Sequence, residues 1–297
     1  MASNKTTNYI GRFSPSPTGS LHMGSLVCAL ASYLDAKAQN GTWLLRIEDI
    51  DPPREETGAS YRIIECLSAH GMIPDENPLW QHTRLAAYQV AIDELLIEKK
   101  AFLCTCTRKK IASEGGKHSS ECRNKKTSVD AEFAVRVIVD PAPNVTFIDN
   151  IQGLQSQNLY DEIGDFIIKR KDGLIAYQLA VAIDDAYQNI SHVVRGSDLL
   201  DSTLRQIHLQ KLLQLPTPEY AHIPIIVHSD GHKLSKQTHA TELAASKARE
   251  NLQIALRLLG QKPPKHYQTV DDILQWSIEN WHLDNITQSL SILFTNS

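Results

Sequence analysis

The chain has 297 residues, with 30 Lys+Arg against 34 Asp+Glu, 42% hydrophobic and 6% aromatic residues. A net charge of −4 with this apolar content excludes an intrinsically disordered chain and a uniformly basic nucleic-acid coat, and the length allows one large domain or two modest ones. No apolar run approaches the ~20 residues that span a bilayer, and residues 1–8 lack the apolar core of a secretory signal, so a cytoplasmic protein is expected.

Tyr9–Ser14 predicts a strand running into the Pro15-Ser16-Pro17-Thr18-Gly19 turn. Leu21–Gln39 follows with helical spacing of Leu26, Leu30, Tyr33, Leu34 and Ala38, and Gly41 stands where a C′ glycine would end it. Thr42–Ile47 is a second strand. Strand, helix and strand within about 40 residues make a βαβ unit and imply a parallel sheet. Further helices are expected near Ala59–His70 and Thr83–Lys100. Residues 101–126 show no periodicity, and Phe133–Val139 and Val145–Asn150 predict short strands of an inserted subdomain. Asp165–Lys169, Gln178–Ile183 and Ser191–Val194 read as strands, Leu199–Leu213 as an amphipathic helix, Tyr220–Val227 as one strand, and the remainder as mostly helical.

Charge and thiols are unevenly spread. Between Arg108 and Lys126, seven basic residues (Arg108, Lys109, Lys110, Lys117, Arg123, Lys125, Lys126) face only Glu114 and Glu121; this local +5 leaves −9 for the rest. Five cysteines are an odd number, three of them close together, which favours reduced thiols over a secreted disulfide framework. Cys104-Thr105-Cys106, His118 and Cys122 have the make-up of a structural Cys₃His zinc site, with free thiols and a surface histidine as the alternative. Cys28 and Cys66 fall on predicted helices and read as small hydrophobes.

Two loops carry phosphate chemistry. His22 and Gly24 open the first helix, where unpaired N–H groups and a partial positive charge suit phosphate; the plainer alternative is a capped helix start with Ser20 as N-cap. Lys233 and Lys236, after the strand Tyr220–Val227, can neutralise a triphosphate, or form an ordinary solvated basic turn.

His22-Met23-Gly24-Ser25 and Lys233-Leu234-Ser235-Lys236-Gln237 resemble the two ATP-binding motifs of class I aminoacyl-tRNA synthetases. Arg12-Phe13-Ser14-Pro15-Ser16-Pro17-Thr18-Gly19, Leu45-Arg46-Ile47-Glu48-Asp49-Ile50-Asp51 and Val194-Arg195-Gly196-Ser197-Asp198-Leu199-Leu200 resemble the glutamyl-tRNA synthetase catalytic domain. The resemblance runs from about Tyr9 to Gln237. It implies an α/β fold: a Rossmann-like parallel sheet in two halves (9–100 and 176–237), an inserted α+β zinc-containing subdomain (101–175) and a short helical tail (238–297).

The resemblance also implies roles. His22, Lys233 and Lys236 become candidate catalytic residues. His22, Gly24, Ser25 and Lys236 are candidates for ATP, and Arg12, Ser14, Ser16, Glu48, Tyr177 and Arg195 for L-glutamate. Arg chemistry suits the carboxylates and Glu48 the α-ammonium, with salt bridges to each other or to neighbours as the alternative for Arg12 and Glu48. Asp49 and Asp51 are expected to fix the loop Asp51–Arg54, with magnesium ligation as the alternative, while Mg²⁺ arrives largely held by ATP. The glutamyl-Q tRNA(Asp) synthetases, short relatives of glutamyl-tRNA synthetase, carry Cys-x-Cys followed by Tyr-x₃-Cys at the zinc position, and this chain has His118 in place of that Tyr.

Only residues 238–297 follow the Lys-rich loop, too short and too neutral for a separate anticodon reader. The preferred expectation is therefore transfer of activated glutamate to the queuosine base of tRNA(Asp), by a monomer, with the basic segment 108–126 facing RNA. The alternatives are charging of the 3′ end of tRNA(Glu), a non-catalytic zinc-stabilised RNA-binding protein, and, ranked last, a small nucleotidyltransferase.

Overall fold

A computed structural model describes residues 9–113, 118, 120–124, 132–228, 233–234, 243–264, 266 and 268–294. Strand β1 (Ile10–Phe13) leads through a loop to helix α1 (Met23–Ala38) and returns as β2 (Thr42–Ile47). β2 pairs in parallel with β1 on one side and with the two-residue β3 (Leu79–Trp80), which follows α2 (Ala59–Ala69), on the other. Helix α3 (Leu85–Ile97) leads to β4 (Ala101–Cys104), α4 (Arg108–Ser113) and β5 (Ala134–Val137). The hairpin β6 (Val145–Asp149) and β7 (Gly153–Gln157), the short α5 (Leu159–Glu162) and β8 (Phe166–Lys169) complete the middle of the chain.

Helix α6 (Tyr177–Tyr187), β9 (His192–Gly196), α7 (Leu200–Leu212), β10 (Glu219–Ile223) and β11 (Ile225–Val227) follow. The chain then forms α8 (Ala248–Leu258), α9 (Val270–Glu279) and β12 (Ser291–Leu293), which pairs in parallel with β11. β9 lies beside β1, with Ser191 N donating to Ile10 O at 2.9 Å, and pairs in parallel with β10. The spatial order is thus β3-β2-β1-β9-β10-β6-β7. It reverses direction between β1 and β9, and open α/β sheets bind ligands in the crevice at such a point, outside the carboxyl ends of the strands. β4, β5 and β8 form a separate antiparallel sheet.

Helix α1 buries residues all round, including Leu26, Val27, Ala29, Leu30, Ala31 and Leu34, because the sheet covers one side and α8 and α9 the other. A helix apolar on every face belongs in an interior. Asp35 fixes the outer cover, accepting from Tyr9 Oη at 2.5 Å and from Trp281 Nε1 at 2.9 Å.

Several expectations change. Gln178–Ile183 is helix, part of α6, because its apolar residues are buried by packing rather than by alternation. Tyr220–Val227 is two strands split at Pro224, whose missing N–H cannot continue a ladder. The aperiodic segment 101–126 contains β4 and α4. Asn40, not Gly41, takes the left-handed position after α1, with φ of 52°. Gly41 serves close approach, since a Cβ there would stand 2.5 Å from Tyr9 O. Strand β12 and the hairpin strand β7 were not anticipated, and β12 lies in the tail read as helical.

Candidate active site

Arg12 lies near the carboxyl end of β1 and Glu48 follows β2, so the parallel pairing sets both at one mouth of the sheet. Arg12 is 2% exposed and donates from Nε and Nη2 to the two oxygens of Asp185 at 3.1 and 3.2 Å. Its ion-pair partner is therefore Asp185 on α6 rather than Glu48, so of the salt bridges weighed in the sequence the one with a neighbour forms. Arg46, fully buried in β2, donates to Asp185 at 2.7 Å and to Gln188 Oε1 at 2.8 Å, and stands 3.6 Å from Glu48 Oε1. Burial would raise the Asp185 carboxyl, but Arg12 and Arg46 hold it down at about 2.

Glu48 has the opposite balance. Burial pushes its carboxyl up, only partly offset by Arg46, Arg12 and a hydrogen bond from Ser14. Its Oε1 is buried with no hydrogen-bond partner among the described residues. An unpaired acceptor beside two committed guanidiniums is a seat for a cationic group such as an α-ammonium.

Arg195 in β9 is 3% exposed. Nε donates to His222 Nε2 at 3.1 Å, and Nη2 to Thr203 Oγ1 at 2.7 Å and Gln206 Oε1 at 2.8 Å. Nη1 lies 3.5 Å from the Tyr177 hydroxyl at the start of α6. Burial pushes the Tyr177 phenol up, and Arg195, Glu48, Arg12 and Asp185 all act on it. Tyr177 thus lies in the field of these four charged groups, with Arg195 in direct contact. In both Arg12 and Arg195 the Nε and Nη2 edge is bound by protein, which fixes the plane of the fork and leaves Nη1 for a carboxylate. Ser14 is half-buried against Glu48, whereas Ser16 is exposed on the loop.

The start of α1 adjoins this crevice. His22, rather than Ser20, is the N-cap: its Nδ1 accepts from Ser25 N at 3.3 Å, and Nε2 lies 3.1 Å from Ser25 Oγ. Accepting at Nδ1 places the proton on Nε2, which faces Ser25 Oγ, so His22 and Ser25 present their polar atoms together at the helix start. A Cβ at Gly24 would stand 3.3 Å from Leu234 O, so the second motif lies directly against the first. Leu234 is held by its N–H to Ile226 O at 2.8 Å and by burial beside Leu21 and Met23. Lys233 is exposed and bound to Asp198 at 2.5 Å. Lys236 lies outside the described residues.

Cys104 Sγ lies 3.2 Å from His118 Nε2, and Cys106 Sγ lies 3.2 Å from Cys122 Sγ. The four ligand atoms fall within 4.8 Å of one another, and all the cysteines are free. Ligand atoms of a tetrahedral zinc at ~2.3 Å stand about 3.7 Å apart, so this donor set fits. His118 Nδ1 is 3.7 Å from Asp165, which also accepts from Arg123 at 2.6 and 2.9 Å, an arrangement that orients a ligating imidazole. Arg123 also pairs with Asp140, so it is neutralised and does not add to a basic RNA-facing surface. Lys109 is exposed; Lys117, Lys125 and Lys126 lie outside the described residues.

Residues 10–275 match the family described as tRNA synthetases class I (E and Q), catalytic domain. The chain belongs to this family. It is 48% identical over 288 residues, 96% of this chain and 97% of the relative, to the glutamyl-Q tRNA(Asp) synthetase of Ectopseudomonas mendocina. Against the protein of that name from Photobacterium profundum, identity is 44% over 98% of this chain and 94% of the relative. Among solved structures, the glutamate-tRNA synthetase of Elizabethkingia anophelis superposes with a TM-score of 0.80 at 25% identity, covering 97% of this chain and 68% of that one. No helix among the described residues is long and apolar enough to cross a membrane.

Within this family fold, Asp51 pairs with Arg54 at 2.6 Å and so fixes its loop, while Asp49 accepts from His82 N at 3.0 Å. Four residues that anchor the side chains of the candidate site carry no role in the sequence reading: Arg46, Asp185, His222 and Asp149. Arg46 carried a signal, being a charge inside the otherwise apolar strand Thr42–Ile47, where burial demands a counter-ion. The others acquire meaning only through neighbours far away along the chain.

Proposed function

We propose that this protein activates L-glutamate with ATP as glutamyl-adenylate and transfers the glutamyl group to the queuosine base of tRNA(Asp). The observation that carries the activation step is the buried set of Arg12, Arg195 and Glu48, whose Oε1 has no hydrogen-bond partner among the described residues, at the sheet's switch point, next to the capped start of α1. Near full-length similarity to proteins named glutamyl-Q tRNA(Asp) synthetase supports the acceptor.

The α-carboxylate of glutamate attacks the α-phosphorus of ATP and pyrophosphate leaves. Positioning and charge stabilisation dominate such a step. Arg12 and Arg195 take the two carboxylates, Glu48 the α-ammonium, and Tyr177 and Ser14 supply hydrogen bonds; Ser16 stands on the loop at the entrance. His22 Nε2–H, the α1 amides and Ser25 meet the phosphates, Gly24 lets the nucleotide lie close to the backbone, and Lys236, supported by Lys233, meets charge on the leaving pyrophosphate. Mg²⁺ arrives with ATP. Cys104, Cys106, His118 and Cys122 hold a zinc ion whose four positions are all filled by protein, which makes the site a scaffold.

Two measurements test this. Labelled glutamate and ATP are expected to label queuosine-containing tRNA(Asp); label on queuosine-free tRNA(Asp) or on tRNA(Glu) instead would overturn the acceptor assignment. Lys236→Ala is expected to slow glutamate-dependent ATP–pyrophosphate exchange by about 10²-fold, in the range for removing one transition-state donor, with the fold intact. Unchanged exchange would remove Lys236 from the mechanism.

A further inference from the structure

Arg195 is anchored by side chains that cross three adjacent strands. In the β9–β10 register His222 stands beside Arg195, and β10 meets β6 where Tyr220 pairs with Asp149. His222 Nε2 accepts from Arg195 Nε at 3.1 Å, while its Nδ1 lies 2.5 Å from Asp149 Oδ2. Asp149 Oδ1 is fixed by three backbone donors, Ile151 N at 3.0 Å, Gln152 N at 2.8 Å and His222 N at 3.0 Å. Asp149 is 2% exposed and His222 0%.

The proton positions follow from donor chemistry. The Arg Nε–H can only donate, so His222 Nε2 must accept. The single proton of a neutral imidazole then sits on Nδ1, where the Asp149 carboxylate receives it. Burial, aided by Arg195 and opposed by Asp149, pushes the imidazole down to about 4, which keeps it neutral at physiological pH. A guanidinium held only through Nη2 could pivot about that bond; the contact to Nε removes this freedom.

We propose that Asp149 and His222 form a positioning pair for Arg195, fixing the plane of its guanidinium so that Nη1 meets a carboxylate of the amino-acid substrate. Neither residue touches the substrate. The proposal rests on the reading of Arg195 as a glutamate-binding residue.

Asp149→Asn tests it with little change of shape. The amide oxygen can keep the three backbone N–H bonds, but the amide NH₂ then faces His222 Nδ1. That forces the imidazole proton to Nε2, opposite the Arg195 Nε–H. In ATP–pyrophosphate exchange, Asp149→Asn and His222→Phe are expected to raise the KM for glutamate by about tenfold while the KM for ATP stays within about twofold. His222→Gln, whose Oε1 can still accept from Arg195 Nε, is expected to recover most of the loss. Nitrogen NMR of the wild-type protein, with the signal assigned by its absence in His222→Gln, is expected to show the Nδ1–H tautomer.

Equal rises in both KM values, an unchanged glutamate KM in folded Asp149→Asn, or an Nε2–H tautomer would overturn the proposal. The tautomer measurement needs no variant to be active. Arg195→Ala separates the two levels. If Arg195→Ala raises the glutamate KM or abolishes glutamate dependence while folded Asp149→Asn leaves the glutamate KM unchanged, only the positioning role fails. If Arg195→Ala leaves the glutamate KM unchanged, the pocket assignment fails and the positioning role falls with it.

Discussion

Asp185→Asn is expected to destabilise the protein by about 3–5 kcal/mol, the cost of stripping one partner from a buried ion pair. Asp185 is the one carboxylate hydrogen-bonded, among the described residues, to both Arg12 and Arg46, which are 2% and 0% exposed. The asparagine keeps the shape and removes the charge, leaving two buried cations, of which Arg46 keeps the influence of Glu48 and Asp184. Urea unfolding measures the loss; a change below about 1 kcal/mol would show that water or Glu48 compensates.

The pH dependence has a definite sign. The folded-state value of Asp185 lies below its ordinary 3.8, at about 2, so its contribution is fully present above 3.8 and is lost as pH falls through about 2. The stability gap between wild type and Asp185→Asn should be constant near neutrality and close in that acid window. Glutamate binding should weaken as well, because Arg12 would lose the partner that fixes its fork.

Removal of zinc is the second large effect. Metal bound by three thiolates and an imidazole contributes folding free energy, with apparent values of ~10–16 kcal/mol in small zinc-dependent modules. Here the ligands hang on a sheet with its own apolar support: Cys104 ends β4, and Phe102, Cys104 and Cys122 pack together. Chelation is therefore expected to lower the midpoint of thermal unfolding by about 5–10 °C rather than to unfold the protein, and to open residues 105–124 to protease. One zinc per chain by metal analysis is the accompanying expectation. A protein that purifies without metal, or melts identically after chelation, would refute the scaffold role.

Much of the site was legible in the sequence because its residues cluster in short blocks next to strand ends. Arg12 lies in the first block and Glu48 directly after the strand Thr42–Ile47, and the parallel pairing of β1 and β2 sets both near the carboxyl ends of these strands. The thiols and His118 were read together from spacing within 19 residues, and their ligand atoms converge. What was not legible depended on packing. Gln178–Ile183 has the apolar content of a strand, yet it is helix because α3, α7 and β8 contact it, and local pattern cannot report such neighbours. Seating Gly41 at the helix end ignored that Asn tolerates the left-handed region, which freed the glycine for contact with Tyr9.

The sequence by itself determined the parallel βαβ start, the phosphate-suited turn at His22, the metal-ligand set and the family likeness, because each is written in residues close together along the chain. The tertiary structure alone decided which partners hold the buried charges. Arg12 is paired with Asp185, 173 positions away, and Arg195 with His222 and, through it, Asp149, 73 positions before that histidine. A buried charge must find a partner wherever the fold supplies one, and sheet order and helix packing set that place rather than distance along the chain.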